Sequence, residues 1–146
     1  MSPTATPPRR TKEPPPPMST DAAPTDAPAS ATAHLEEAEA LGRRIVDALA
    51  DRQAEEIVLL DVSAVAGFTD YFVIASATSS RQFEALGEAV ERAADDRHLR
   101  REGGSEGGWQ LFDYSDVVVH LFAREERAYY DLEGLWSAGR QLLRIQ

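Results

Sequence analysis

Tyr71-Phe72-Val73-Ile74-Ala75 is aromatic and β-branched, and it runs directly into Ser76-Ala77-Thr78-Ser79-Ser80. The first five residues suit a buried, pleated strand. The next five cannot continue that strand and are rich in groups that cap helices. Ser79 with Gln82 fits a capping box, in which each end satisfies a free backbone donor of the other. The stripe Phe83, Leu86, Val90 and Ala93 or Ala94 then predicts a helix over about 80–97. A strand, a capping turn and a helix in immediate succession place the chain in the α/β class.

The remaining pattern extends that frame. Leu35, Ala38, Leu41, Ile45 and Leu49 recur at helical spacing and predict a first helix over about 34–52. Ile57 to Val62 reads as a buried strand, and a short strand is expected near Leu99 to Glu102. Gly103-Gly104-Ser105-Glu106-Gly107-Gly108 reads as a loop. Two strands follow, at 109–114 and 117–122, joined by a tight turn. A last helix is expected over about 125–133, with residues 138–146 as a C-terminal tail. The order implies a mixed β-sheet of about five strands flanked by helices.

Composition divides the chain of 146 residues. All nine prolines lie in residues 1–28, and all nine glycines lie from Gly42 onward. This segregation predicts an N-terminal Pro/Ala-rich tail over 1–33, too poor in large apolar groups to order itself, and a domain over 34–137. Pro14 to Pro17 favours a short polyproline stretch; the reading favoured for it is a bland disordered extension, with a proline-recognition ligand as the lesser alternative. Met18 offers an alternative start. The tail's bases and acids cancel, so the domain carries the whole net charge of −10. Such a domain repels nucleic acid and attracts basic partners. The absence of cysteine excludes thiol nucleophiles and zinc–cysteine sites. The domain's lack of lysine excludes Schiff-base chemistry within it. No apolar run reaches the ~20 residues of a membrane span, and no signal-peptide pattern is visible, so a cytoplasmic protein is expected.

The hairpin is the most informative place for function. With a two-residue turn, Trp109, Leu111 and Asp113 share a face with Val118 and His120, and Asp116 and Phe122 extend it. The other face carries Gln110, Phe112, Tyr114, Val117, Val119 and Leu121 and reads as core. Trp, Asp and His among apolar groups compose a binding surface, with an aromatic anchor and a polar rim. The competing reading is that Trp109 and Phe122 pack beneath a helix. Asp113 and Asp116, with His120, also have the residue types of a metal or acid–base site. A two-metal site needs several converging carboxylates, and none beyond this pair is fixed by spacing. Asp at a hairpin is ordinarily turn chemistry. No catalytic residue, metal or cofactor is therefore expected. His34 at a helix entry and His98 near a helix end have no visible catalytic companion.

Two segments together carry a family likeness. The first is Phe68 to Gln82. The second is Trp109-Gln110-Leu111-Phe112-Asp113-Tyr114-Ser115-Asp116-Val117-Val118-Val119-His120-Leu121-Phe122, then Arg127, Tyr129-Tyr130-Asp131-Leu132-Glu133 and Leu135-Trp136. Over roughly residues 35–137 the chain resembles the ribosomal silencing factor, or Iojap, family. Ala77 and Ser115 stand where that family usually has glycine, which bears on the two turns. The resemblance implies a mixed sheet similar to the nucleotidyltransferase fold. It implies a non-enzymatic, cytoplasmic translation repressor. Such a protein docks on the large ribosomal subunit through a basic intersubunit-face protein, the fourteenth in large-subunit numbering, and blocks joining of the small subunit when nutrients are short. Some members form homodimers. On this reading the partner-binding residues are Trp109, Leu111, Asp113, Asp116 and His120, with Tyr114 beside them, and neither membrane nor DNA is a partner. The alternative is a nucleotide-binding, nucleotidyltransferase-like enzyme. It would hold a phosphate on the helix that follows Ser76–Ser80, although the chain has neither an Asp-x-Asp pair nor a P-loop.

Overall fold

The computed structural model describes residues 28–95 and 100–146. The elements are α1 (Pro28–Asp51), β1 (Glu55–Asp61), β2 (Tyr71–Ala77), α2 (Ser80–Ala93), β3 (Arg100–Gly104), a 3₁₀ turn (Ser105–Gly107), β4 (Trp109–Asp113), β5 (Val117–Ala123), α3 (Arg124–Tyr130), α4 (Leu132–Leu135) and β6 (Arg140–Ile145). The strands form one six-stranded sheet in the order β3-β4-β5-β2-β1-β6. β2 and β5 pair in parallel, and all other neighbours are antiparallel. The parallel pair is possible because α2, β3 and β4 intervene between β2 and β5 and carry the chain back across the sheet.

One face of the sheet is shielded by helices. Ala38, Leu41, Ile45 and Leu49 of α1 and Phe83, Leu86 and Val90 of α2 pack on Ile57, Leu59, Val73, Phe112, Val119 and Leu121. These are the helix stripes and the strand parity expected from the sequence. Gln110, the polar member of this face, is buried yet satisfied. Its Nε2 donates to the Phe83 carbonyl at 3.2 Å, and its Oε1 accepts from Arg101 at 2.9 Å. The same Arg101 reaches Glu91 on α2 and lies 5.0 Å over the Phe112 ring, so it ties the β3 edge to the core.

The α2 entry is capped largely as expected. Ser79 Oγ accepts from the Gln82 amide at 3.1 Å. The reciprocal bond differs: Gln82 Oε1 accepts from the Thr78 amide, one residue before the cap, at 2.7 Å. Gln82 Nε2 donates to the carbonyls of Arg52 and Gln53, which joins the α2 entry to the end of α1.

Five boundaries differ from the sequence reading. β3 runs on through Gly103 and Gly104, which the sequence reads as the start of a loop, and pairs them with Gln110 and Trp109. Helix α1 begins at Pro28, so the tail boundary expected at 33 falls inside it. Proline at a first helical position forfeits no bond, since that N–H would be unpaired anyway. Residues 140–145 form the edge strand β6 instead of a tail, pairing with Ile57 to Asp61. The single last helix is two, broken at Asp131, which adopts φ +47° and caps α4 by accepting from the Gly134 amide. Finally, α2 ends at Ala93, and His98 and the start of the strand expected from Leu99 lie outside the described residues.

Candidate partner-binding site

The second face of the sheet has no long helix over it. Strand alternation puts Trp109, Leu111 and Asp113 of β4 opposite Phe122, His120 and Val118 of β5. β2 adds Phe72 and Ile74 to the same face, where they pack with Val118 and Phe122. The rings form a ladder across the strands. Trp109 lies 6.3 Å from His120, His120 5.2 Å from Phe72, and Phe72 5.4 Å from Trp136. Phe68 closes one end against Trp136, and Tyr130 and Tyr129 extend the other beyond Trp109. The ladder is buried along its strands and surfaces at its end, where Tyr129 is 74% and Tyr130 41% exposed.

His120 is the pivot of this face. It is 7% exposed and stacks between Trp109 and Phe122. Burial pushes its imidazole down to about 3, so the ring is neutral at physiological pH. Trp109 Nε1–H donates to His120 Nδ1 at 3.3 Å. That bond requires an unprotonated Nδ1, so the ring proton sits on Nε2. His120 thus orients the indole, and its own exposure is too small for direct partner contact.

The other expected site residues separate. Leu111 and Asp113 are partly exposed beside Trp109, as the two-residue turn requires. Asp113 Oδ1 accepts from the Ser115 amide at 2.8 Å, and its other oxygen lies 3.6 Å from Arg100. Tyr114 is 2% exposed within the α1/α2 core, which removes it from the open face. Asp116 was expected to extend the Trp109 face. Its carboxylate instead lies 3.9 Å from His34 of α1, and its carbonyl accepts from the Asp70 and Tyr71 amides. Asp113 and Asp116 therefore hold different partners instead of converging. Among the described residues, no three His, Asp or Glu side chains converge as a metal ion would require.

A cluster of acids marks the hairpin end of the sheet. Burial raises the Asp70 carboxyl above its ordinary range. Asp116 and Asp61 push the same way, and His34, 3.6 Å away, opposes them. The Tyr71 hydroxyl is raised to about 12, by burial first and then by Asp61, Glu39 and Asp70. At the opposite end, Arg127 forks onto Glu133 at 2.9 and 3.0 Å and donates to Ser76 Oγ at 2.8 Å. Asp131, four residues on from Arg127, does not join this fork, because it turns out of the helix as a cap. Sequence spacing also could not identify Glu133 and Arg144 of β6 as the remaining partners.

The Ser76–Ser80 turn has little left for a phosphate. The Ser76 hydroxyl is held by Arg127, Thr78 donates to Gln82, and Ser79 caps α2.

Helices shield one face, and the other presents aromatic anchors beside acids. This defines a class: an acidic α/β domain with two long helices on one sheet face and an aromatic ladder on the other. The comparisons are specific. The sequence profile of the family described as "Ribosomal silencing factor during starvation" matches residues 35–145. A ribosomal silencing factor of Bacillus subtilis is 39% identical over 90 residues, covering 60% of this chain and 76% of that protein. One of Halalkalibacterium halodurans is 37% identical over 95 residues, covering 63% and 81%. The crystal structure of a Chromobacterium violaceum protein superposes with a TM-score of 0.64 at 31% identity, covering 68% of this chain and 85% of that one. The chain belongs to the ribosomal silencing factor family, to which the Iojap proteins are related. The match runs through β6, which makes that strand part of the family domain.

Proposed function

We propose that this protein represses translation in the cytoplasm by docking on the large ribosomal subunit and sterically blocking small-subunit joining when nutrients are short. The observation that carries the reading is the open aromatic face, where a half-buried Trp109 is fixed by His120 and flanked by Leu111 and Asp113. A rigid indole with its hydrogen bond already made is a low-entropy anchor. The partner that suits it is a basic protein of the intersubunit face, the fourteenth in large-subunit numbering. Asp113 meets its Arg or Lys side chains. The acids at the hairpin end, with the domain charge of −10, steer it into register.

The role of Asp116 is to hold the turn and add to the negative field, and Tyr114 supports the hairpin from the core side. Self-association through the same face would compete with docking. The engaged hydroxyls of Ser76–Ser80 weigh against a nucleotide enzyme. The test is equilibrium binding to isolated large subunits. Trp109→Ala should weaken binding about 30-fold or more, as an anchor loss of ~2 kcal/mol implies. Asp113→Arg should weaken it most at low salt. Unchanged affinity in variants with an intact circular-dichroism spectrum would remove this face from the reading.

A further inference from the structure

We infer that His34 is a proton-operated clasp: its charged form ties the first turns of α1 to Asp70 and Asp116, and its neutral form lets them go. The inference does not depend on what the aromatic face binds. The two acids are held side by side whatever the state of His34. The Asp70 and Tyr71 amides donate to the Asp116 carbonyl at 3.2 and 3.1 Å, so the main chain ties the β1–β2 connection to the β4–β5 turn. The Asp70 and Asp116 side chains are only 25% and 9% exposed, and like charges so placed repel in a poorly solvated setting. His34 Nε2 stands 3.6 Å from Asp70 Oδ2 and 3.9 Å from Asp116 Oδ2. These are ion-pair distances, longer than a hydrogen bond, so the attraction is that of a charge and a neutral ring forfeits it. Of the charges acting on Asp70, Asp116 and Asp61 raise its carboxyl and His34 lowers it.

The surrounding groups leave this role to His34. Asp61, at the end of β1, is paired with Arg140 of β6 at 3.0 Å. Along α1, Glu36 and Glu37 follow His34 as further acids, and Glu39 is paired with Arg43 at 2.8 Å. The Tyr71 hydroxyl, raised to about 12, stays neutral. The start of α1 also needs a tie. Pro28 to Ala33 has no acid to offset the positive end of the helix. The apolar grip is complete only from Ala38, which is fully buried, as Ile45 is. Among the described residues ahead of Ala38, half-buried Leu35 and the His34 contacts hold the helix to the sheet. Histidine is the side chain whose charge changes near neutrality. The His34 side chain is 59% exposed, so a proton reaches it without unfolding. The clasp is therefore closed on the acid side of neutrality and opens as pH rises.

Amide exchange at Glu37 and Ala38 of the full chain, corrected for the intrinsic rate at each pH, reads the start of α1. Protection should be about two- to five-fold higher at about pH 5.5 than at about pH 8, the range of a partly exposed ion pair. The direction is diagnostic. The buried neutral His120 weakens the fold as pH falls, so the clasp raises local protection where global stability declines. His34→Gln should hold both amides at the lower protection throughout. His34→Lys, charged at either pH, should hold them at the higher one. Equal protection of the parent at the two pH values overturns the inference, and so does a pH dependence that survives His34→Gln. A His34→Lys chain that still loses protection at the higher pH assigns the effect to another group and overturns it as well.

Discussion

Two residues are held in states that carry a cost, and both costs are measurable. His120 is neutral when folded, with its imidazole depressed to about 3, whereas an unfolded histidine titrates near 6.5. Below about 6.5 the unfolded chain therefore binds a proton that the folded one refuses. The His120 contribution is whole above that pH and is lost progressively as pH falls toward 3, at up to ~1.4 kcal/mol per pH unit. Urea unfolding between pH 7.5 and 5 should show this slope, and His120→Gln should flatten it. An unchanged slope in the variant would show that the ring is not buried neutral. Ser115 is the second case. It adopts φ +79°, and the Asp116 amide closes a three-residue turn on the Tyr114 carbonyl at 3.0 Å. Such a γ-turn is strained for an L-residue. Ser115→Gly should relieve about 1 kcal/mol, partly offset by the freer unfolded chain, and raise the urea midpoint. A lowered midpoint would contradict the strained turn. Ala77, the other position where the family usually has glycine, has no positive φ and is buried within β2, so the same change there should bring no gain.

At the scale of elements, α3, α4 and β6 are held by one ionic junction. Arg127, with a side chain only 11% exposed, depends on Glu133, and Glu133 also accepts from Arg144 of β6. These bonds, with Arg127 first, hold the Glu133 carboxyl below its ordinary range. Its share of stability is thus present above about pH 4.5 and lost as pH falls through the depressed value. Glu133→Ala leaves a nearly buried guanidinium without its fork. It should cost about 2–4 kcal/mol and loosen α4 and β6 together, read as faster amide exchange in Leu142 and Leu143. Exchange confined to α4 would contradict a shared junction. These elements were also the least legible in the sequence. Strand parity in β4 and β5 and the stripes of α1 and α2 follow from periodicity, and all of them hold. β6 has only a short Leu142-Leu143 pair and exists because it completes β1 some eighty residues away, a contact no local pattern announces. The Asp131 break escaped because Tyr129 to Trp136 keeps helical composition across a left-handed cap. Within the candidate site, Trp109, Leu111 and Asp113 were placed correctly by alternation. Asp116 was not, because alternation ends at the turn, where the Asp116 amide bonds the Tyr114 carbonyl and its own carbonyl accepts from the Asp70 and Tyr71 amides.

At the scale of the whole molecule, two long helices cover one sheet face and the aromatic ladder occupies the other. The α1/α2 side buries most of the large aliphatic core. The other side buries Phe72, His120 and Phe122 and brings only Trp109, in part, and Tyr129 and Tyr130 to the surface, and acids crowd one end of the sheet. An apolar anchor beside a strong negative field should bind a basic surface quickly at low salt and more slowly as ionic strength rises. No helix among the described residues is long and apolar enough to cross a membrane. The most direct measurement is sedimentation of isolated large subunits with the full chain, followed by addition of small subunits. The account predicts that the protein pellets with large subunits alone and suppresses joined ribosomes, and that Trp109→Ala loses both effects together. Joining that proceeds normally with the protein bound, or suppression that survives Trp109→Ala, would contradict docking through this face.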